Sequence, residues 1–227
     1  MKTPKDLGFY FPAEWHKHEG TWLSYPHNEN SWPGKIDTIF PSYHKFIAEL
    51  SKSEIVNINV EDEAAKETIT EALSELKADL SRVKFHFFRT NDAWCRDHGP
   101  AFVLKANQKA LVNWDYNAWG GKYPCELDNL IPLKIAEEMN LEVFHPHIVM
   151  EGGSIDVNGC GTLLTTTACL LNPNRVRHVL GCRDTAVALA RRWGADETDA
   201  ARAGILHDIT KAIDGPLQLT LCDAYGK

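Results

Sequence analysis

The strongest constraint on the fold is a regular alternation of β-rich runs and helical stripes between residues 21 and 166. Residues 36–52 place apolar side chains at helical spacing, and residues 55–60 follow with the alternation of a half-buried strand. The predicted helices are 36–52, 61–78 and 126–139, and the predicted strands are 21–25, 55–60, 83–88, 101–104, 110–114, 141–144, 147–150, 154–157 and 162–166. Interleaved helices and strands predict an α/β or α+β domain.

The net charge, the apolar runs, the N-terminus and the cysteine spacing indicate which kinds of protein this chain can be. The chain has a formal net charge of −7, all of it within residues 1–175, and an acidic front gives no support for a nucleic-acid partner. No apolar run approaches the roughly 18 residues of a membrane helix. The N-terminus lacks a secretory signal, so we expect a cytoplasmic protein without a membrane partner. The six cysteines form no Cys-x-x-Cys pair, which favours free thiols over a zinc or disulfide framework.

Two acid-containing stretches are candidates for a functional site. Residues 91–100 read NDAWCRDHGP and follow a predicted strand, and residues 151–156 read EGGSID at the edge of another apolar run. Strand-end loops of this kind can aim side chains into a pocket. A guanidinium group is flat and permanently charged, and carboxylates hold it best. Asp97 and Glu151 therefore predict a site for a planar cation, with Trp94 stacked on its face.

The first of these stretches also has a purely structural interpretation. Arg96 could pair with Asp92 or Asp97, and the loop would then be only a stiff turn. The residue types alone leave both interpretations open.

Four separated motifs resemble successive motifs of the agmatine deiminase family (agmatine iminohydrolase, peptidyl-arginine deiminase-like). They are PAEW at 12–15, WLSYP at 22–26, the stretch at 91–100, and the stretch at 151–156 running on to LNPNR at 171–175. The resemblance covers residues 8–175 and implies a pentein fold, a pseudo-fivefold propeller of ββαβ modules. Residues 1–175 would form its N-terminal part. The resemblance also implies hydrolysis of agmatine to N-carbamoylputrescine and ammonia in putrescine biosynthesis, without a cofactor.

The same resemblance assigns roles to three residues. Asp97 would be the catalytic residue that binds the guanidinium group, Trp94 would line the pocket, and Glu151 would help to hold the small-molecule substrate. In the family, the nucleophilic cysteine and the proton-transferring histidine lie further on, in a glycine-rich segment and a Gly-His-x-Asp motif. This sequence has neither motif.

The cysteines of the deiminase-like part do not fill that gap. Cys95, Cys160 and Cys169 do not occupy the nucleophile's motif. We therefore predict a truncated deiminase-like protein with negligible turnover, and a non-catalytic guanidinium binder is one alternative. An open sheet edge in such a partial ring would favour a homo-oligomer.

Residues 176–227 form a second predicted domain, a short all-helical segment. It resembles the start of an HD-domain metal phosphohydrolase of the branch that hydrolyses diadenosine tetraphosphate. That resemblance implies a divalent metal such as iron on His178, His207 and Asp208, and a phosphate contact from Lys211, with the ligand set incomplete. A chimera joined near Arg175, by gene fusion, frameshift or misassembly, accounts for both resemblances.

Overall fold

The computed structural model describes residues 2–166, together with residues 169, 187, 188, 190, 191, 194 and 196–198. The chain divides into two compact units, of which the first comprises residues 1–153 and 157–162 and the second residues 154–156 and 163–227. Within the described residues, no helix combines the length and the apolar character needed to cross a membrane. The domain boundary predicted near Arg175, and most of the helical segment predicted beyond it, lie outside the described part of the chain.

A parallel three-stranded sheet opens the first unit. Its strands lie side by side in the order β1 (Gly20–Ser24), β2 (Ile55–Asn59) and β3 (Val83–His86). Helix α1 (Ile36–Leu50) connects the first pair of strands, and helix α2 (Glu63–Glu75) connects the second. Because the strands are parallel, their C-terminal ends meet at one edge of the sheet, and the loops that follow them start there.

The core of this layer lies between the helices and one face of the sheet. It consists of seven buried residues, Ile47, Ala48, Val56, Ile58, Val60, Ile69 and Leu73. Val56 and Ile58 are fully buried two positions apart on β2, so they project from the same face of the strand. Burial of each such aliphatic side chain stabilises the fold by roughly 1.5–3 kcal/mol. The packed core therefore fixes the strand ends from which the edge loops start.

The segment that forms the second sheet has the element order β-β-α-β along the chain. Strands β4 (Ala101–Lys105) and β5 (Gln108–Val112) form an antiparallel hairpin, and β6 (Glu142–Phe144) pairs parallel with β5. The helix that precedes β6 is α5 (Ile131–Glu138). The mixed α/β class predicted from the sequence is confirmed, and this segment has the element order of the ββαβ module that the resemblance implies.

Shorter elements complete the described part. Strands β7 (Ile155–Val157) and β8 (Leu163–Thr165) pair as a two-stranded sheet, and they correspond to the strands predicted at 154–157 and 162–166. Two single helical turns, α3 (Cys95–His98) and α4 (Ala118–Gly121), lie in segments that the sequence does not predict as helical. Further 3₁₀ turns lie at Lys5–Leu7, Leu80–Arg82, Asp128–Leu130 and Gly152–Ser154.

Two predicted elements differ from the structure. Residues 147–150 do not form a strand; only an isolated bridge joins Val149 to Asp115, because His147 has a φ of 55° that interrupts the extended backbone. The helix predicted from residue 126 begins later, at Ile131, after a 3₁₀ turn. Pro132 lies in its first turn, where a missing N–H costs nothing.

Candidate functional site

The loop that follows β3 is tied to the start of the α5 segment by reciprocal hydrogen bonds. The side-chain oxygen Oδ1 of Asn91 accepts from the backbone N–H groups of Leu127 at 2.7 Å and Asp128 at 3.3 Å. In return, Oδ1 of Asp128 accepts from the backbone N–H groups of Asn91 at 2.7 Å and Asp92 at 3.3 Å. These bonds connect segments about 37 residues apart and hold the loop ahead of α3 in one register.

Asp92 and Asp128 are buried acids that support this loop. Asp92 accepts hydrogen bonds from the Ser31 hydroxyl and from the backbone N–H of Ala93. Asp128 is 1% exposed, and burial raises its pKa to about 6, against the opposing effect of the two backbone N–H donors. Both carboxylates are engaged by groups of the protein itself, so they serve the loop's shape.

Two glycines let the segment at 151–153 approach α3 closely. A Cβ on Gly152 would lie 2.2 Å from the carbonyl oxygen of Arg96, and a Cβ on Gly153 would lie 2.3 Å from Oδ1 of Asp97. Both distances are far below van der Waals contact, so only glycine fits at either position. The approach allows the backbone N–H of Gly153 to donate a hydrogen bond of 3.0 Å to Asp97 Oδ1.

Asp97 lies partly buried at this junction, and its environment controls its charge. Burial raises the pKa of the carboxyl above its ordinary value. The Gly153 N–H, the Arg96 guanidinium and the Trp119 side chain each act to lower that pKa. The net effect is a raised pKa for Asp97, so the surrounding donors do not fully offset the cost of burying its ionised form. A cation that arrived at Asp97 would offset this cost.

Aromatic rings surround this position. The Trp94 ring lies 5.5 Å from the Trp32 ring and 6.2 Å from the Trp119 ring, between centroids. Trp119 also meets Tyr116 edge-on at 5.9 Å. Trp94 is 41% exposed, so part of its surface is open to a ligand. Aromatic faces of this kind attract flat cations.

The two predicted acids, Asp97 and Glu151, both act electrostatically on one tyrosine. Each carboxylate acts to raise the pKa of Tyr116, and burial is the largest cause of that rise. Glu151 is 7% exposed and directly precedes the two glycines that contact α3. Gly153, whose backbone N–H bonds to Asp97, lies two positions after Glu151.

The thiols nearest to the site are not activated. Burial raises the pKa of Cys95 to about 12, although a hydrogen bond with Ser24 acts in the opposite direction. Burial also raises the pKa of Cys125, and Glu126 adds to the rise. A thiol attacks only as its thiolate, so neither sulfur is primed as a nucleophile.

Arg96 pairs with an acid that the sequence analysis did not consider. Its Nη1 atom lies 2.7 Å from Oε1 of Glu14, and both side chains are about half exposed. The guanidinium also acts on Asp97, whose pKa it lowers. Glu14 is thus a partner of Arg96, and Asp92 bonds to Ser31.

The residues predicted for a metal and a phosphate lie elsewhere. His178, His207, Asp208 and Lys211 all fall outside the described residues. Among the residues that the structure does describe, no three His, Cys, Asp or Glu side chains come together as a metal site.

Sequence reasoning missed Trp119 as a site residue. It lies in the segment 116–123, for which the sequence predicts no helix or strand. The paired glycines at 120 and 121, directly after a tryptophan, were the available signal, because they indicate backbone with positive φ. The role of Gly153 as a hydrogen-bond donor to Asp97 was missed as well.

Comparison with known proteins relates the chain to deiminases. The family model of Porphyromonas-type peptidyl-arginine deiminases matches residues 10–215. A candidate agmatine deiminase of Legionella pneumophila is 34% identical over 213 residues, which cover 92% of this chain and 59% of that protein.

The fold of the chain is also similar to solved structures of deiminases. An agmatine deiminase of C. jejuni with substrate bound has a TM-score of 0.66 at 31% identity, covering 83% of this chain and 54% of that chain. The agmatine deiminase of Enterococcus faecalis has a TM-score of 0.65 at 31% identity, covering 76% and 47%. The chain thus spans about half to three fifths of the length of these relatives.

The family match extends further along the chain than the resemblance seen in the sequence, which ended at residue 175. It continues to residue 215 and so includes most of the segment predicted to be HD-like. Because this match covers most of the sequence, the chain belongs to the Porphyromonas-type peptidyl-arginine deiminase family.

Proposed function

We propose that this chain is an agmatine deiminase-like protein whose first unit binds the guanidinium group of agmatine at Asp97 and Glu151. The observation that carries the proposal is the 3.0 Å hydrogen bond from the Gly153 N–H to Asp97, which joins the segment that begins at Glu151 to the turn that follows Trp94. Two relatives of known structure are named as agmatine deiminases, and one is named with substrate bound.

Each residue has a distinct role in the proposal. Asp97 accepts hydrogen bonds from the N–H groups on one edge of the guanidinium plane. The positive charge of the ligand offsets the cost of burying the carboxylate, which otherwise raises the pKa of Asp97. Glu151, which is 7% exposed, supplies a second negative charge. Trp94 contributes a ring face, 41% exposed, to the flat cation. The pocket would therefore select a planar, permanently charged group over a compact ammonium.

Hydrolysis needs a further group. In a deiminase reaction, a thiolate attacks the guanidinium carbon and ammonia leaves with a proton supplied by a general acid. Water then releases N-carbamoylputrescine and restores the thiolate. Cys95 does not suit this role because burial raises its pKa to about 12. We therefore expect the described residues to bind agmatine without turning it over.

Titration calorimetry with agmatine, run beside an ammonia-release assay, tests this proposal. We expect measurable binding, negligible ammonia, and at least ~30-fold weaker binding in Asp97→Asn, because one partner of a partly buried charge pair is lost. Asp37→Asn removes an exposed carboxylate from the first turn of α1 and is the matched control. Equal affinity in Asp97→Asn and wild type would contradict the assignment of the site. Ammonia release abolished by Asp97→Asn would contradict the expected lack of turnover.

A metal-dependent phosphohydrolase remains a second proposal for residues 176–227. It rests on His178, His207 and Asp208 as seen in the sequence. The deiminase family match runs through residue 215 and favours the deiminase for most of this segment. Metal analysis and a diadenosine tetraphosphate assay, each compared with His207→Ala, would decide between the two functions.

Self-association is also part of the proposal. Strands β1 and β3 are the outer strands of the parallel sheet in the described part of the chain, and outer strands present backbone groups that can pair with another copy. Light scattering over a range of protein concentrations would measure it.

A further inference from the structure

A row of side-chain contacts joins the segment that follows β1 to the loop that follows β3. Its four contacts come in the same order along both segments: His27 with Thr90, Asn28 with Asn91, Ser31 with Asp92, and Trp32 with Trp94. The first two are hydrogen bonds of 3.1 Å to backbone carbonyl oxygens, and the last brings two ring centroids to 5.5 Å. The row therefore begins at His27 and ends at Trp94, a ring of the candidate site.

The imidazole ring of His27 bonds to two carbonyl oxygens at once. Its Nδ1 atom lies 3.1 Å from the carbonyl oxygen of Tyr25, and its Nε2 atom lies 3.1 Å from that of Thr90. A carbonyl oxygen only accepts hydrogen bonds, so each ring nitrogen must carry a hydrogen. A neutral ring has one N–H and would direct the lone pair of its other nitrogen at an oxygen. The geometry therefore corresponds to the imidazolium form.

The charged groups around His27 are acids. Oε1 of Glu61 lies 3.8 Å from Nε2 of the ring, and His27 acts electrostatically to lower the pKa of Asp128. His27 and Glu61 also line a cavity at the ends of β1 and β2, and the described residues lining it include no lysine or arginine. Three further acids line the same cavity, namely Glu29, Asp37 and Asp62. Negative charge on several sides stabilises an imidazolium.

We propose that His27 is a positioning residue for the candidate site: as an imidazolium it bridges two backbone carbonyl oxygens and so holds the loop that carries Trp94 and Asp97. This inference rests on the proposed function and adds a residue that does not touch the ligand. When the ring gives up one proton, one of the two bonds is lost and one end of the bridge is free. Histidine changes its charge in the physiological pH range, so the row of contacts couples pH to the site.

Agmatine calorimetry at pH 6 and pH 8.5 tests the inference by comparing His27→Gln with wild type. Glutamine keeps a donor but does not titrate, and its one amide nitrogen replaces only one ring nitrogen. Wild type should bind about threefold more weakly at pH 8.5, the effect of losing one hydrogen bond. His27→Gln should bind weakly at both pH values. His16→Gln is the matched control, because His16 is exposed and its ring bonds to the carbonyl oxygen of the next residue. It should keep the wild-type profile.

A second measurement uses wild-type protein and does not depend on the folding of a variant. NMR of ¹⁵N-labelled histidine in ligand-free protein distinguishes a ring with two N–H groups from a ring with one. We expect two on His27 at pH 6 and one at pH 8.5. A single N–H at pH 6 would overturn the inference, and so would a wild-type dependence of affinity on pH in His27→Gln.

The effect at the far end of the row separates failure of this inference from failure of the proposed function. If wild-type protein does not bind agmatine, the proposed function is wrong, but the row is still testable without ligand. The indole N–H signal of Trp94 should move between pH 6 and pH 8.5 in wild type and in His16→Gln, and stay in place in His27→Gln. An equal movement in all three proteins would mean that another group moves Trp94, and the positioning role would be overturned.

Discussion

The backbone N–H of Gly153 donates a 3.0 Å hydrogen bond to Oδ1 of Asp97, across 56 positions of sequence. The bond exists because residue 153 has no side chain: a Cβ would lie 2.3 Å from the same oxygen. A strand-end loop and a glycine pair, which look unrelated along the chain, thus form one structural unit. The geometry of this contact leads to the first prediction.

Gly153→Ala should both destabilise the protein and weaken agmatine binding. The added methyl group must displace the Asp97 carboxylate or the α3 backbone, and overpacking of this kind costs roughly 1–3 kcal/mol. Urea unfolding would measure the stability, and calorimetry the affinity. Gly8→Ala is the control, since a Cβ there meets Lys105 at an ordinary 3.6 Å. Its positive φ of 84° should lower stability while affinity stays unchanged. Unaltered affinity in Gly153→Ala would contradict the prediction.

The regular elements could be predicted from the sequence because their signals are local. The apolar stripe at 36–52 and the alternation at 55–60 correspond to α1 and β2 within two residues. Both patterns reflect burial against a core, and periodicity reports burial directly. The strand predicted ahead of Asp97, at 83–88, corresponds to β3, whereas residues 147–150, predicted as a strand ahead of Glu151, do not form one.

The turns that build the site could not be predicted in the same way. The α3 turn depends on a loop fixed by Asn91 and Asp128, whose mutual bonds span 37 positions. The α4 turn requires Trp119 to adopt a φ of 56°, against its own preference. Short elements of four residues carry no periodic signal, and tertiary contacts decide their conformation.

Protonation of Asp128 should stabilise the fold at mildly acidic pH. Its pKa in the folded protein is about 6, above the ordinary 3.8, so the folded state binds more protons between these values. The contribution of this group is therefore fully present below pH 4 and is lost as the pH rises to 6, by on the order of 2–3 kcal/mol at most. Urea unfolding from pH 4.5 to 7.5 measures it.

Asp128→Asn isolates this effect, because the amide oxygen can still accept from Asn91 and Asp92 while carrying no charge. Its stability should vary less with pH than that of wild type, with the difference confined to pH 4–6. Glu49→Gln, an exposed change on α1, should leave the wild-type profile intact. Parallel profiles for wild type and Asp128→Asn would show that Asp128 does not set this dependence.

Cys95 should resist alkylation in the folded protein. Burial raises the pKa of its thiol to about 12, so almost no thiolate is present at pH 8. Cys160 is exposed and should react with iodoacetamide much faster. Peptide mass spectrometry after timed labelling would compare the two residues, with labelling in urea as the control for equal intrinsic reactivity. Faster labelling of Cys95 than of Cys160 would indicate an activated thiol and reopen its candidacy as a nucleophile.

Trp94→Ala should weaken agmatine binding by about 3- to 30-fold, the range that corresponds to a cation–π contact of roughly 0.5–2 kcal/mol. The effect on folding should be smaller, because the ring is 41% exposed. Trp94→Phe retains an aromatic face and should recover part of the loss, which separates ring stacking from simple pocket shape. Trp15→Ala is the matched control, since Trp15 is 77% exposed and its loss should leave affinity unchanged. Calorimetry at fixed pH and ionic strength compares all three variants. Equal affinity in Trp94→Ala and Trp15→Ala would mean that the cation is held by its carboxylates alone.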